Sequence, residues 1–169
     1  MQGFAQVNVR LLVALSLSLF SLSWIPTVEA QGTAPTLKAG ADPKAIAKYR
    51  HNQMEIVGKH NKALRQLVNG EVDVPGELLL HAEALAALSK DIPRLFPAGT
   101  GPDQKVKSDS KAAIWKDWDK FVAESNKAAQ ETTKLVEVVK AGDMKAIGEQ
   151  LNAVGKSCGS CHDLFRVED

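Results

Sequence analysis

The sequence predicts an all-α chain folded as an antiparallel four-helix bundle. Four stretches place apolar residues at alternating steps of three and four, the spacing of a helix that buries one face. Helix-ending residues separate them at Asn69-Gly70, Pro93 and Ala141-Gly142. No stretch of useful length alternates apolar and polar residues as a half-buried strand does.

The first helix is expected over residues 42–69. Asp42 caps it, and Pro43 suits the first helical position, where a missing N–H costs nothing. Ile46, Arg50, Met54, Val57, Asn61, Leu64 and Val68 form its stripe. The second covers residues 75–91, with Leu78, Leu85, Leu88 and Ile92 on one face. The third spans residues 110–140, turning Ile114, Trp115, Trp118, Phe121, Val122, Leu135, Val136 and Val139 inward. The fourth covers residues 143–165, with a stripe of Met144, Ile147, Leu151, Val154, Cys158, Cys161, His162 and Phe165. Between the second and third, residues 93–110 hold three prolines and two glycines, which excludes regular structure. Leu95 and Phe96 are expected to pin this link to the end of the bundle. Short connections at both ends and one longer middle link suit an antiparallel bundle.

Residues 1–30 read as a secretory signal peptide. Arg10 is followed by the apolar run Leu11–Trp24, and Val28-Glu29-Ala30 makes a small-residue cleavage pattern. At 14 residues the run is too short to span a bilayer, which takes about 20. Residues 31–41 read as a flexible leader and residues 42–169 as the folded domain. Without Arg10 and Glu29 the chain carries 20 cations and 19 anions. That balance argues against nucleic acid or an anionic membrane surface as partner.

The chemistry sits at the C-terminal end. Cys158-Gly159-Ser160-Cys161-His162 is the pattern of c-type haem attachment, and the chain has no other cysteine. Each thiol adds to one vinyl group of the porphyrin. Positions i, i+3 and i+4 share a helical face, so the imidazole reaches the iron beside the two thioether links. Gly159 and Ser160 are small enough to let the macrocycle lie near the backbone. A disulfide redox pair would want a βαβ context that is missing here. A zinc site would want about four ligands, and only three are at hand. The expected cofactor is one covalently bound haem c, held through Cys158 and Cys161 with His162 as proximal iron ligand. A haem wedged between helices also adds a large apolar disc to a modest core.

With these residues in place, the chain resembles the cytochrome c prime family, four-helix bundles with CxxCH in the last helix. The likeness runs over nearly all of the chain after residue 30. It rests on Tyr49-Arg50 with Met54 four residues on from Arg50, and on Phe96-Pro97-Ala98-Gly99-Thr100-Gly101. It also rests on Ile114-Trp115 and on the ending Cys158 to Arg166. The family often has proline before its Ile-Trp pair, where this chain has Ala112-Ala113. The resemblance implies that Arg50 lies near the haem propionates and that Arg166 edges the proximal face. It implies that Met54 faces the iron from the other side. It also implies a bacterial periplasm, redox partner proteins, no membrane once the signal is cleaved, and either a monomer or a homodimer paired through the first two helices.

Two functions follow, and they part at the sixth iron position. In one branch of the family, the cytochrome c-556 type, a methionine at the Met54 position binds iron and gives a low-spin one-electron carrier. In the other, a bulky residue only covers a five-coordinate iron, which then takes nitric oxide or carbon monoxide. The electron carrier with His162 and Met54 as axial ligands is the leading expectation, and gas binding the alternative. Other sixth ligands fail on placement. Met144 lies 18 positions from His162 on the same helix, or about 27 Å, and is expected to fill core. His51, His60 and His81 read as boundary or surface residues. Enzymatic peroxidase chemistry would need acid–base groups over the iron, and no candidate is centred there.

Overall fold

Capping chemistry sets most of the helix boundaries. A computed structural model describes residues 32–102 and 105–168. The signal-peptide expectation for residues 1–30 therefore lies outside the described residues. Helix α1 runs Pro43–Val68, with the Asp42 side chain accepting from the Lys44 N–H. Helix α2 runs Glu77–Ser89 behind Gly76, whose φ of 86° is left-handed and suits glycine. A 3-10 turn, Ile92–Leu95, follows. Then come the short α3, Ala113–Lys116, and the long α4, Trp118–Ala141. Helix α5 runs Met144–Phe165. Gly142, at φ 80°, closes α4, and Asp143 opens α5 by accepting from the N–H groups of Lys145 and Ala146. Replacing Asp143 by Ala removes both contacts. We expect it to cost about 1 kcal/mol of stability, read as a lowered urea midpoint with unchanged slope.

The four long helices form an antiparallel four-helix bundle in the cyclic order α1, α2, α4, α5. Its interior divides into two apolar clusters. One holds Leu64, Ala82, Leu85, Leu135, Val136, Ile147, Leu151 and Val154. The other, around α3 and the middle link, holds Phe96, Ile114, Phe121 and Phe165. The seam between α1 and α5 is the loosest of the four. Among the described residues there is no strand, only an isolated antiparallel bridge between Ser110 and Arg166. No helix among them is long and apolar enough to cross a membrane.

Three expectations are corrected. The third helix is not continuous: Asp117, at φ −128° and ψ 59°, separates α3 from α4. The break goes with Trp115, whose indole N–H donates to the Phe96 and Pro97 carbonyls and fastens α3 to the link. The link is not wholly irregular, because Pro93, with its fixed φ, fits the 3-10 turn that starts at Ile92. Met144 does not fill core. It stands at the first position of α5 and is 46% exposed. Leu95 and Phe96 pin the link as expected, Phe96 being buried among Phe121, Trp115 and Arg50. Residues 32–41 contain no helix or strand; there, Gly32 N–H donates to Asp119, and Ala98 N–H donates to the Pro35 carbonyl.

Candidate haem site

The last three turns of α5 carry Cys158, Cys161 and His162. Helical spacing puts them on adjoining positions of one face. Both thiols are free and half-buried. Cys158 packs against the first apolar cluster and Cys161 against the second. Burial pushes the Cys158 thiol up, with Ser157 and Arg65 opposing. Burial, then the charge of Glu124, then Cys158, push Cys161 up to about 11. His162 is more open than either thiol. Burial and then the nearby Arg166 cation lower its pKa, with Asp163 opposing. The ring is therefore neutral at neutral pH, with a lone pair available to a metal.

Across the loosest seam, α1 presents Met54 and Val57. Met54 packs against the same cluster as Cys161, and Val57 against the same cluster as Cys158. Two thiols and two apolar faces thus meet where the core is split, with the exposed imidazole one residue beyond Cys161. That donor set and that setting fit a haem c. Among the described residues no three His, Cys, Asp or Glu converge as ligands of a bare metal ion.

Arg50 is not a surface residue. It is 2% exposed. Its Nη1 donates to the Leu95 carbonyl and Thr100 Oγ1, and its Nη2 to the Thr100 carbonyl and Ser108 Oγ. All four Nη hydrogens are thereby committed to the middle link, and only Nε–H remains for another acceptor. The guanidinium also stacks on Phe96, 4.6 Å from the ring centroid. Burial lowers its pKa to about 10, with Asp109 opposing, so it stays charged at neutral pH. Arg166 caps α5, donating its N–H to the His162 carbonyl at 2.8 Å.

Residues 45–166 match the family model described as cytochrome C'. The chain belongs to the cytochrome c' family. A cytochrome c' of Pararhodospirillum photometricum is 36% identical over 126 residues, 75% of this chain and 99% of that protein. Two solved structures come from Alcaligenes xylosoxidans cytochrome c prime. A variant in complex with nitric oxide is 25% identical at a TM-score of 0.69. A carbon monoxide-bound variant is 26% identical at 0.68. Each alignment covers 76% of this chain and 98% of the other. Membership of the cytochrome c' family makes the protein a haem c-type cytochrome, with covalently attached haem c as its cofactor.

Sequence reasoning missed two features of the surroundings. It left Arg50 without its four link acceptors, which lie 45 to 58 residues away in sequence. It also read His60 and His81 as separate boundary residues, whereas their Nδ1 atoms meet at 2.9 Å. A signal for that pair was present. His60 stands ten residues before Gly70 and His81 ten after Glu71, so an antiparallel turn there sets them abreast.

Proposed function

We propose that this chain is a periplasmic haem c protein that binds nitric oxide or carbon monoxide on the Met54 side of its iron. Cys158 and Cys161 anchor the porphyrin, and His162 holds the iron from the α5 side. When bound, the haem supplies a redox-active iron able to take a small diatomic ligand or exchange one electron. Met54 covers the opposite side without bonding. The observation carrying this reading is the packing of Met54. Its side chain is already engaged with the apolar cluster of Phe96, Ile114, Phe121 and Phe165. That wall is apolar. It keeps out anions and water, which must shed hydration to enter, while a neutral diatomic pays little. The nitric oxide and carbon monoxide complexes of the Alcaligenes xylosoxidans variants support the same choice. Arg166, close enough to lower the His162 pKa, is the cation at the proximal edge. Arg50 has only its Nε–H to offer a propionate.

The test is the optical spectrum of the ferrous haem-loaded protein. We expect one broad Soret band that shifts under carbon monoxide. Met54→Leu should leave coordination unchanged, with gas affinity altered by less than about tenfold, the effect of an isosteric apolar swap. Narrow, split bands that become broad in Met54→Leu would instead make Met54 the sixth ligand and the protein a one-electron carrier.

A further inference from the structure

Away from the haem residues, the α1–α2 seam brings two imidazoles together. His60 Nδ1 and His81 Nδ1 are 2.9 Å apart, with ring planes at 62° and centroids 5.1 Å apart. The pair is held from one side. His81 Nε2 lies 3.3 Å from the Glu77 carboxylate, one turn earlier on α2. That contact places the His81 proton on Nε2 and leaves Nδ1 with its lone pair. His60 then supplies the one N–H between the two Nδ1 atoms. A carboxylate behind a histidine whose other nitrogen faces a second histidine is the outer-shell arrangement that orients metal-ligating imidazoles.

Ligand type selects the metal. Imidazole nitrogens bind divalent transition metals at about 2.0–2.1 Å, so two of them at a right angle lie about 2.9 Å apart, and at a tetrahedral angle about 3.4 Å. The observed 2.9 Å is the hydrogen bond of the metal-free pair, which a bound ion replaces by turning both lone pairs onto itself. Adjacent corners of a tetragonal plane, filled out by oxygen donors, suit Cu(II) best and Ni(II) next, and Cu(II) also heads the affinity order. No third His, Cys, Asp or Glu among the described residues joins the pair at one point, so water supplies the remaining positions.

We propose that His60 and His81 form a surface chelate for Cu(II), with Glu77 as the positioning carboxylate on His81. Binding displaces the proton between the two Nδ1 atoms; His60 takes one up from solvent on Nε2, so both rings stay neutral, and the metal then links α1 to α2. The rings are only partly covered, so the ion has access: the His81 side chain is 21% exposed and Glu77 38%.

The test titrates the haem-loaded protein with Cu(II) chloride, followed by calorimetry and electron paramagnetic resonance. We expect one copper per chain at micromolar affinity or tighter, with hyperfine structure from two imidazole nitrogens. His60→Gln and His81→Gln should each weaken it at least tenfold. Glu77→Gln should weaken it by about tenfold, as removal of an outer-shell partner does. His51→Gln, an exposed histidine near Asp109 and Glu55, should change nothing. An unchanged haem spectrum and helical circular dichroism in each variant separate lost chelation from lost fold. Copper held equally by the His60→Gln/His81→Gln double variant overturns the proposal, as does absence of the two-nitrogen signal in the unaltered protein.

Discussion

With Cys158 and Cys161 both changed to serine, we expect the chain to carry no covalent haem. The unaltered protein, extracted with acidified acetone, should keep its colour and assay at one haem per chain in alkaline pyridine; the double variant should assay at zero. The reason is positional. The two sulfurs stand at i and i+3 on α5, each against a different half of the divided core. Serine keeps the helix and nearly the volume but has no sulfur to form a thioether. Each single variant retains one link, so it keeps pigment with an altered spectrum. Colour that survives extraction in the double variant would remove both cysteines from the attachment.

Arg50→Met should be the most destabilising change outside the apolar core. Methionine fills much of the same space, but four acceptors on the link lose their donor: the carbonyls of Leu95 and Thr100 and the hydroxyls of Thr100 and Ser108. Hydrogen bonds to a charged group contribute roughly 1.5–3 kcal/mol each, and entering water recovers part of that. The expected net loss is about 3–5 kcal/mol, read from urea unfolding of the haem-loaded protein. Arg50→Lys should restore less than half, because a single ammonium cannot span the fork that reaches both Leu95 and Ser108. A methionine variant within about 0.5 kcal/mol of the unaltered protein, the range of neutral surface changes, would show that the link holds without this clamp.

What was legible in the sequence was local chemistry. Asp42-Pro43, Asn69-Gly70 and Gly142-Asp143 mark ends of α1, α4 and α5 to within a residue or two, because caps act over one turn. The haem-attachment pattern was legible for the same reason: its geometry spans a single turn and a third. What escaped was set by distant partners. Ile114, Trp115, Trp118 and Phe121 fit one unbroken helix by spacing, and the kink at Asp117 answers to carbonyls of Phe96 and Pro97 that no helical period reveals. A charged residue on an apolar stripe, as Arg50 is, says nothing of where its acceptors lie. Met144 shows the converse limit. Its spacing is right, but it occupies the first position of α5 and stays exposed.

The end of α5 has a further consequence. Final helical turns ordinarily fray, since their last carbonyls lack partners along the helix. Here the Phe165 carbonyl accepts from the Lys111 N–H at 2.8 Å, the Asp163 carbonyl from the Lys111 ammonium at 2.9 Å, and Val167 N–H donates to Asp109 at 2.7 Å. Opening that turn means unfastening the link as well, which moves it from the cheapest local excursion toward the cost of a cooperative one. His162 rides on a terminus whose backbone is tied down as a mid-helix turn is, although it lies only three residues from where the helix stops.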